Sequence, residues 1–202
     1  MYAIVEDNNI TQYINNPKSV IIGDVRYPAK IFELWTTAEK EAIGIYEVVV
    51  DKTNYKDPAY YNNTNSSYTF ADGQVTESWG TATAKELEDR NATDEDGVEL
   101  NPIVVIEGLK TEKKKIVKAQ ASTLLERTDW HNHKALDDDS YTIPDNIKTY
   151  RANVRAKSNE METQIDACNN VDELKTLYEY VNTGTEENPV YERPLAEFPK
   201  EI

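Results

Sequence analysis

The chain has 202 residues, a formal charge of −15 at pH 7 and a single cysteine, Cys168. So negative a surface repels phosphate backbones and disfavours nucleic-acid binding, and one cysteine excludes an internal disulfide. No run approaches the ~18 apolar residues of a membrane span, and the opening MYAIVEDNNI lacks the basic-then-apolar order of a secretory leader.

From the N-terminus the pattern predicts short strands and tight turns. Tyr2 to Val5 reads as a strand, Asp7-Asn8-Asn9 as a turn, and Ile10 to Ile14 as the returning partner. Gly23-Asp24 lies between Val20–Ile22 and Val25–Tyr27 as a two-residue hairpin. Thr36 or Thr37 can cap a short helix, AEKEAI, which Gly44 ends before the β-branched strand IYEVVV. Ala71-Asp72-Gly73 joins two further strands, Ser67–Phe70 and Gln74–Trp79. Residues 80–101 are polar and acidic, an excursion or a ribbon turning at Asp96-Gly97, and PIVVIEG supplies a final strand.

From Leu109 the period becomes helical, with Val117, Ala121, Leu124 and Thr128 on one stripe. A second helix of about 24 residues starts at TIPD. Thr142 is its expected cap, with Asp145 three residues on. Its stripe is Ile147, Tyr150, Val154, Met161, Ile165 and Cys168. That is more apolar surface than a first helix ending near Arg127 can cover, which predicts contact with the N-terminal half, a second copy or another protein. Asn170 and Glu173 suit the start of a third helix, with Leu174, Leu177, Tyr178 and Val181 on its face and Gly184 as its stop. The remaining segment, with three prolines and no period, reads as an extended arm whose docking anchors are Tyr191, Leu195 and Phe198.

The fold class is therefore α+β. A β-hairpin-rich module covers residues 1–106, with the acidic excursion at 80–101. A helical domain of a helical hairpin plus a third short helix covers 107–184, and an extended tail 185–202.

Candidate chemistry is sparse. His131 and His133 lie two apart, close to Asp137, Asp138 and Asp139. On a strand they would share a metal, but the segment joins two helices and reads as a polar loop, so no metal is expected there. Trp130 is expected to be a buried plug between the helices, with a cost of about 3–5 kcal/mol on truncation. Arg151 and Arg155, beside Tyr150, could hold an anion or a carboxylate of a partner, or pair within the chain with Asp137–Asp139 or Asp145. Lys113, Lys114 and Lys115 are the only basic run and read as a solvated helix face. DKTNYKD lacks the glycine and distal glutamate of a calcium loop. Cys168 sits on the apolar stripe as a buried thiol. No phosphate-binding glycine pattern occurs, and the chain reads as a non-enzyme without a cofactor, a metal-dependent enzyme hidden in the acidic loops being the remaining alternative.

The segment LLERTDW, a polar gap and IPDNIKTYRANVR resembles the C-terminal region of tail-fibre assembly proteins of tailed bacteriophages. The residues that carry the resemblance are Leu124, Leu125, Thr128, Asp129, Trp130, Tyr150, Arg151 and Arg155. It covers residues 115–168, and the tryptophan that this family often has before the Tyr-Arg pair is missing here. IFELWTTAEKEAIGIYEVV, with YTFADGQV further on, is similar to the opening of many phage tail-region proteins. The resemblance implies a tail-fibre assembly chaperone acting in the host cytoplasm, or else a permanent baseplate or tail-fibre subunit. Its partner would be a fibre or baseplate protein, with self-association as a further option and no nucleic acid or membrane. The implied partner-binding residues are Trp130, Tyr150, Arg151, Arg155, Tyr191, Leu195 and Phe198.

Overall fold

The computed structural model describes residues 1–202 and is α+β. The chain divides into two compact units, Met1–Thr83 and Ala84–Ile202. The acidic segment after residue 83 thus belongs with the helices rather than with the strands that precede it.

The first unit contains β1 (Tyr2–Glu6), β2 (Asn9–Ile14), β3 (Val20–Ile22), β4 (Val25–Tyr27), α1 (Ile31–Leu34), α2 (Thr37–Glu41), β5 (Ile45–Asp51), β6 (Tyr61–Asn62), β7 (Ser66–Ala71) and β8 (Gln74–Trp79), and the two-residue β9 (Thr83–Ala84) straddles its boundary. Five of these strands form a sheet in the order β2-β1-β5-β8-β7. All its pairings are antiparallel except β5 with β8. The sheet curls until its two outer strands meet, and the rings of Tyr13 in β2 and Tyr68 in β7 stand 4.7 Å apart.

Both faces of β1 are covered, so Ala3, Ile4 and Val5 are all buried although a strand alternates sides. Ala3 and Val5 join Val48 and Val75 inside the curl. Ile4 joins Ile14, Ile31, Phe32 and Ile45 on the other side, where α1 packs. Two hairpins form where the glycines predict them, with Gly23 at φ +58° and Asp72 and Gly73 at φ +51° and +74°. Thr36 caps α2 in a full capping box with Glu39. Gly44 follows at φ +80°, and a Cβ there would stand 2.6 Å from the Val5 carbonyl oxygen. Only glycine fits this turn into β5.

The second unit contains β10 (Arg90–Asn91), β11 (Val105–Ile106), α3 (Leu109–Glu126), α4 (Asp129–Asp137), α5 (Asp145–Asp166), α6 (Val171–Tyr178), β12 (Val181–Asn182) and β13 (Tyr191–Glu192). The long helices α3 and α5 pack side by side around Val117, Ala121, Tyr150 and Val154. Ion pairs cross between them: Lys114 meets Asp166 at 2.7 Å and Lys118 meets Glu162 at 3.1 Å. The basic run is therefore occupied rather than free. Lys115 pairs with Glu107 and Lys113 lies over the Tyr178 ring. The Asp166 carboxylate, by accepting from Lys114, pushes that ammonium's pKa up.

Several expectations are corrected here. The segment 129–137 is a helix, not a loop. Thr142 does not cap α5, which starts at Asp145 after Pro144 without a side-chain cap and runs 22 residues. Asn170 does cap α6, accepting from the Glu173 amide at 2.8 Å. That helix stops at Tyr178, before Val181 and Gly184. Both of these lie instead in the β12–β13 hairpin, where the Cβ of any larger residue at 184 would strike the backbone of Asn188 and Val190. No helix in the chain is long and apolar enough to cross a membrane.

The α5 stripe needs no outside partner. Ile147, Tyr150, Val154, Met161, Ile165 and Cys168 are all buried within this chain. The shortfall left by α3 is made up by the tail, which folds back. Leu195 is 2% exposed, and Phe198 packs against the α3–α5 core. Gln164 of α5 clamps the tail at two points, donating to the Pro194 carbonyl at 3.0 Å and accepting from the Ala196 amide at 2.8 Å.

Candidate functional site

The corner where α3 gives way to α4, facing the first turns of α5, gathers the residues on which the phage resemblance rests. Arg151 is its hub. The residue is buried and reaches out of α5 toward the α3–α4 step. Its Nη1 donates to the Leu125 carbonyl at 2.8 Å and to Thr128 Oγ1 at 2.7 Å. Its Nη2 lies 2.7 Å from the Asp129 carboxylate. The planar fork thus satisfies a helix-end carbonyl, a buried hydroxyl and a charge together, which the point charge of a lysine cannot do. The same Leu125 carbonyl also accepts from the Thr128 hydroxyl. These bonds fix the chain as it leaves α3, where carbonyls otherwise lack partners.

The pairing differs from the one expected. Arg151 takes Asp129, not Asp137–Asp139 or Asp145. Asp138 is engaged locally: the Ser140 hydroxyl and amide donate to it at 2.6 and 3.0 Å and hold its carboxyl below the usual range. Arg155 is exposed and donates only weakly, to the Arg151 carbonyl at 3.4 Å. Tyr150 is buried in the α3–α5 core beside Leu124 and Leu125.

Trp130 is not the buried plug. It is 54% exposed, and the buried residue of the elbow is its neighbour His131. The two rings stack with centroids 3.7 Å apart and 27° between planes. His131 Nδ1 shares a hydrogen bond with the Tyr141 hydroxyl, and the Lys134 ammonium lies 4.4 Å from the Tyr141 ring. Helical geometry explains the exchange. Successive residues on a helix point about 100° apart, so when His131 turns inward Trp130 lies toward the rim. Tyr141 escaped sequence reasoning, because nothing in its local pattern links it to a histidine ten positions earlier across a helix end.

His133 is exposed on α4 and stands apart from this stack. No three His, Cys, Asp or Glu side chains come together in a metal-holding group. Cys168 is buried, and burial pushes its thiol pKa up, away from the thiolate that nucleophilic chemistry needs. What the corner offers is an exposed Trp130 ring stacked on a buried histidine, next to a polar hub made by Arg151.

The tail anchors divide. Leu195 is spent inside the unit and Phe198 mostly so, whereas Tyr191 in β13 is exposed. Beside Phe198, the residues Ile116, Ala119, Thr123 and Leu124 line an open groove of about 570 Å³ on α3, to which the Arg127–Glu201 ion pair also contributes. Comparisons of the chain with family models, with curated proteins and with solved structures find no match.

Proposed function

We propose that this chain is a non-enzymatic bacteriophage tail protein that binds tail-fibre or other tail components, acting as a tail-fibre assembly chaperone. One observation carries the reading. The residues of the resemblance, apart in sequence at Leu124–Trp130 and Tyr150–Arg155, meet in one corner joined by Arg151. A motif that existed only to fill a core would not need to hold a tryptophan at the surface. Here Thr128 and Arg151 are buried and fix the α3–α4 step, while Trp130, which follows that step, and Arg155, one turn further along α5, are exposed. Tryptophan and arginine are the side chains that most often dominate protein–protein contacts.

Fibre subunits carry sticky strand edges that must not pair early. Masking them needs binding energy alone and no nucleotide. The negative charge of the chain favours a basic partner, with association that weakens as salt rises. Sedimentation of the purified protein, alone and with tail-fibre proteins, tests the reading. Co-sedimentation at low salt that is lost in Trp130→Ala is the expected result. No complex with any tail or fibre protein at low salt would rule the reading out. Protein analysis of purified particles separates its two forms, since an assembly factor is absent from the particle and a structural subunit is present in fixed ratio.

A further inference from the structure

Between Arg90 and Ile106 the second unit extends a two-stranded arm. Arg90 pairs with Ile106 and Asn91 with Val105. The pairing resumes toward the tip, where Thr93 faces Glu99 and the Asp94 amide donates to the Val98 carbonyl at 2.8 Å. Gly97, at φ +81°, makes the turn. The base is fixed: the Asp89 carboxylate accepts from the Gly108 amide at 2.8 Å and from the Thr111 hydroxyl at 3.0 Å, at the start of α3. Leu109 and Lys110 donate their amides to the Glu86 and Leu87 carbonyls.

Beyond this base, Ala92 is the only buried residue of the arm. Ile103, Val104, Val105 and Ile106 follow one another and all are exposed, Ile103 at 64% and Val105 at 53%. The outer edge of β11 pairs with no other strand. An isolated two-stranded ribbon is marginal in water, and an uncovered apolar edge is a template for another strand. Backbone geometry shows which groups are free. The Ala92 amide donates to the Val104 carbonyl at 2.7 Å, so Val104 faces inward. Antiparallel ladders alternate, which turns the Val105 N–H and C=O outward.

Charge selects the occupant. From Arg90 to Ile106 the arm carries Asp94, Glu95, Asp96 and Glu99 against the single base Arg90. A second copy would bring the same carboxylates on a chain of charge −15, which like-charge repulsion disfavours. We infer that the outer edge of β11 adds a strand from a different protein, one that alternates apolar with lysine or arginine side chains. Main-chain hydrogen bonds from Val105 would give the affinity, Ile103 and Val105 the apolar contact, and the acidic tip the choice of partner. This surface is separate from the elbow and does not depend on the proposed function.

The test uses the full chain and two short synthetic peptides, one alternating valine with lysine and one alternating valine with glutamate. The lysine peptide should bind about tenfold tighter at low salt and slow hydrogen exchange at the Val105 amide. Val105→Pro removes the outward N–H without touching the β10 ladder and should abolish binding with thermal unfolding unchanged. The double variant Glu95→Lys, Asp96→Lys should narrow or reverse the preference between peptides. Equal binding of the two peptides, or no protection at Val105, overturns the inference. So does a wild-type dimer in sedimentation that Val105→Pro dissolves, since the occupant would then be a second copy.

Discussion

Arg151 of α5 reaches across to Asp129 at the start of α4, Nη2 to carboxylate oxygen 2.7 Å, while its other amino group donates to the Thr128 hydroxyl and to the Leu125 carbonyl near the end of α3. The pair itself is half open to water on the Asp129 side, so the buried hydrogen bonds carry more of the stability than the charge does. Arg151→Met should cost about 2–3 kcal/mol, because a buried hydroxyl and a carbonyl lose their charged donor. Arg151→Lys should cost less, and Asp129→Asn about 1 kcal/mol or under. Urea denaturation gives the ranking; a larger cost for Asp129→Asn than for Arg151→Met would mean that the ion pair dominates.

The aromatic stack predicts an order opposite to the one that residue size alone suggests. Trp130→Ala should cost about 1 kcal/mol, the scale of one exposed aromatic stacking contact. His131→Ala should cost about 1–3 kcal/mol, since it hollows a buried site and strands the Tyr141 hydroxyl. Thermal unfolding of both variants settles the order. The histidine variant should also show altered tyrosine fluorescence.

The tail should behave as core. Leu195→Ala should destabilise the second unit by about 2–4 kcal/mol, as for other fully buried leucines. Gln164→Ala, which releases both clamps on Pro194 and Ala196, should cost about 1–2 kcal/mol. Tyr191→Ala, at an exposed position, should stay within about 0.5 kcal/mol. Equal effects from Leu195→Ala and Tyr191→Ala in chemical denaturation would contradict the docked arrangement.

Acid should loosen particular joints. The Gly108 amide and the Thr111 hydroxyl hold Asp89 below the usual carboxylate range. The Asn169 amide, foremost among several donors, does the same for Glu173, and the Thr36 amide and hydroxyl for Glu39. A depressed folded pKa gives stability that is complete above the unfolded values, near 4. That stability is lost as pH falls through the folded values. Denaturation midpoints should be level from neutral pH to about 5 and fall below 4. Asp89→Asn should flatten part of that fall; an unchanged acid limb would mean that the arm's base contributes nothing.

Local patterns were legible wherever one segment decides its own geometry. The turns at Gly23 and Asp72-Gly73 act over two or three residues and form as expected, and of the two candidate caps, Thr36 and Thr37, it is Thr36 that caps α2. The stripe on α5 was read correctly, but its cover was not, because Leu195 and Phe198 lie some thirty positions or more beyond it in a segment without periodicity. Thr142 failed as a cap because the chain continues extended through Pro144, so that its side chain stands outside the first turn. The elbow was misread for a related reason. Which of Trp130 and His131 turns inward depends on where Arg151 and Tyr141 stand, and neither is a sequence neighbour.

The docked tail has a consequence for synthesis. The first unit owes its buried residues to segments that are all translated early, and it can close while the rest of the chain is still being made. The α3–α5 pair cannot. Its apolar seam stays partly bare until Leu195 and Phe198 have been added and have swung back onto α5. For that interval a nascent chain displays the greasy side of its longest helix, and the rate of elongation from α5 to Phe198 sets how long it is open to mispairing.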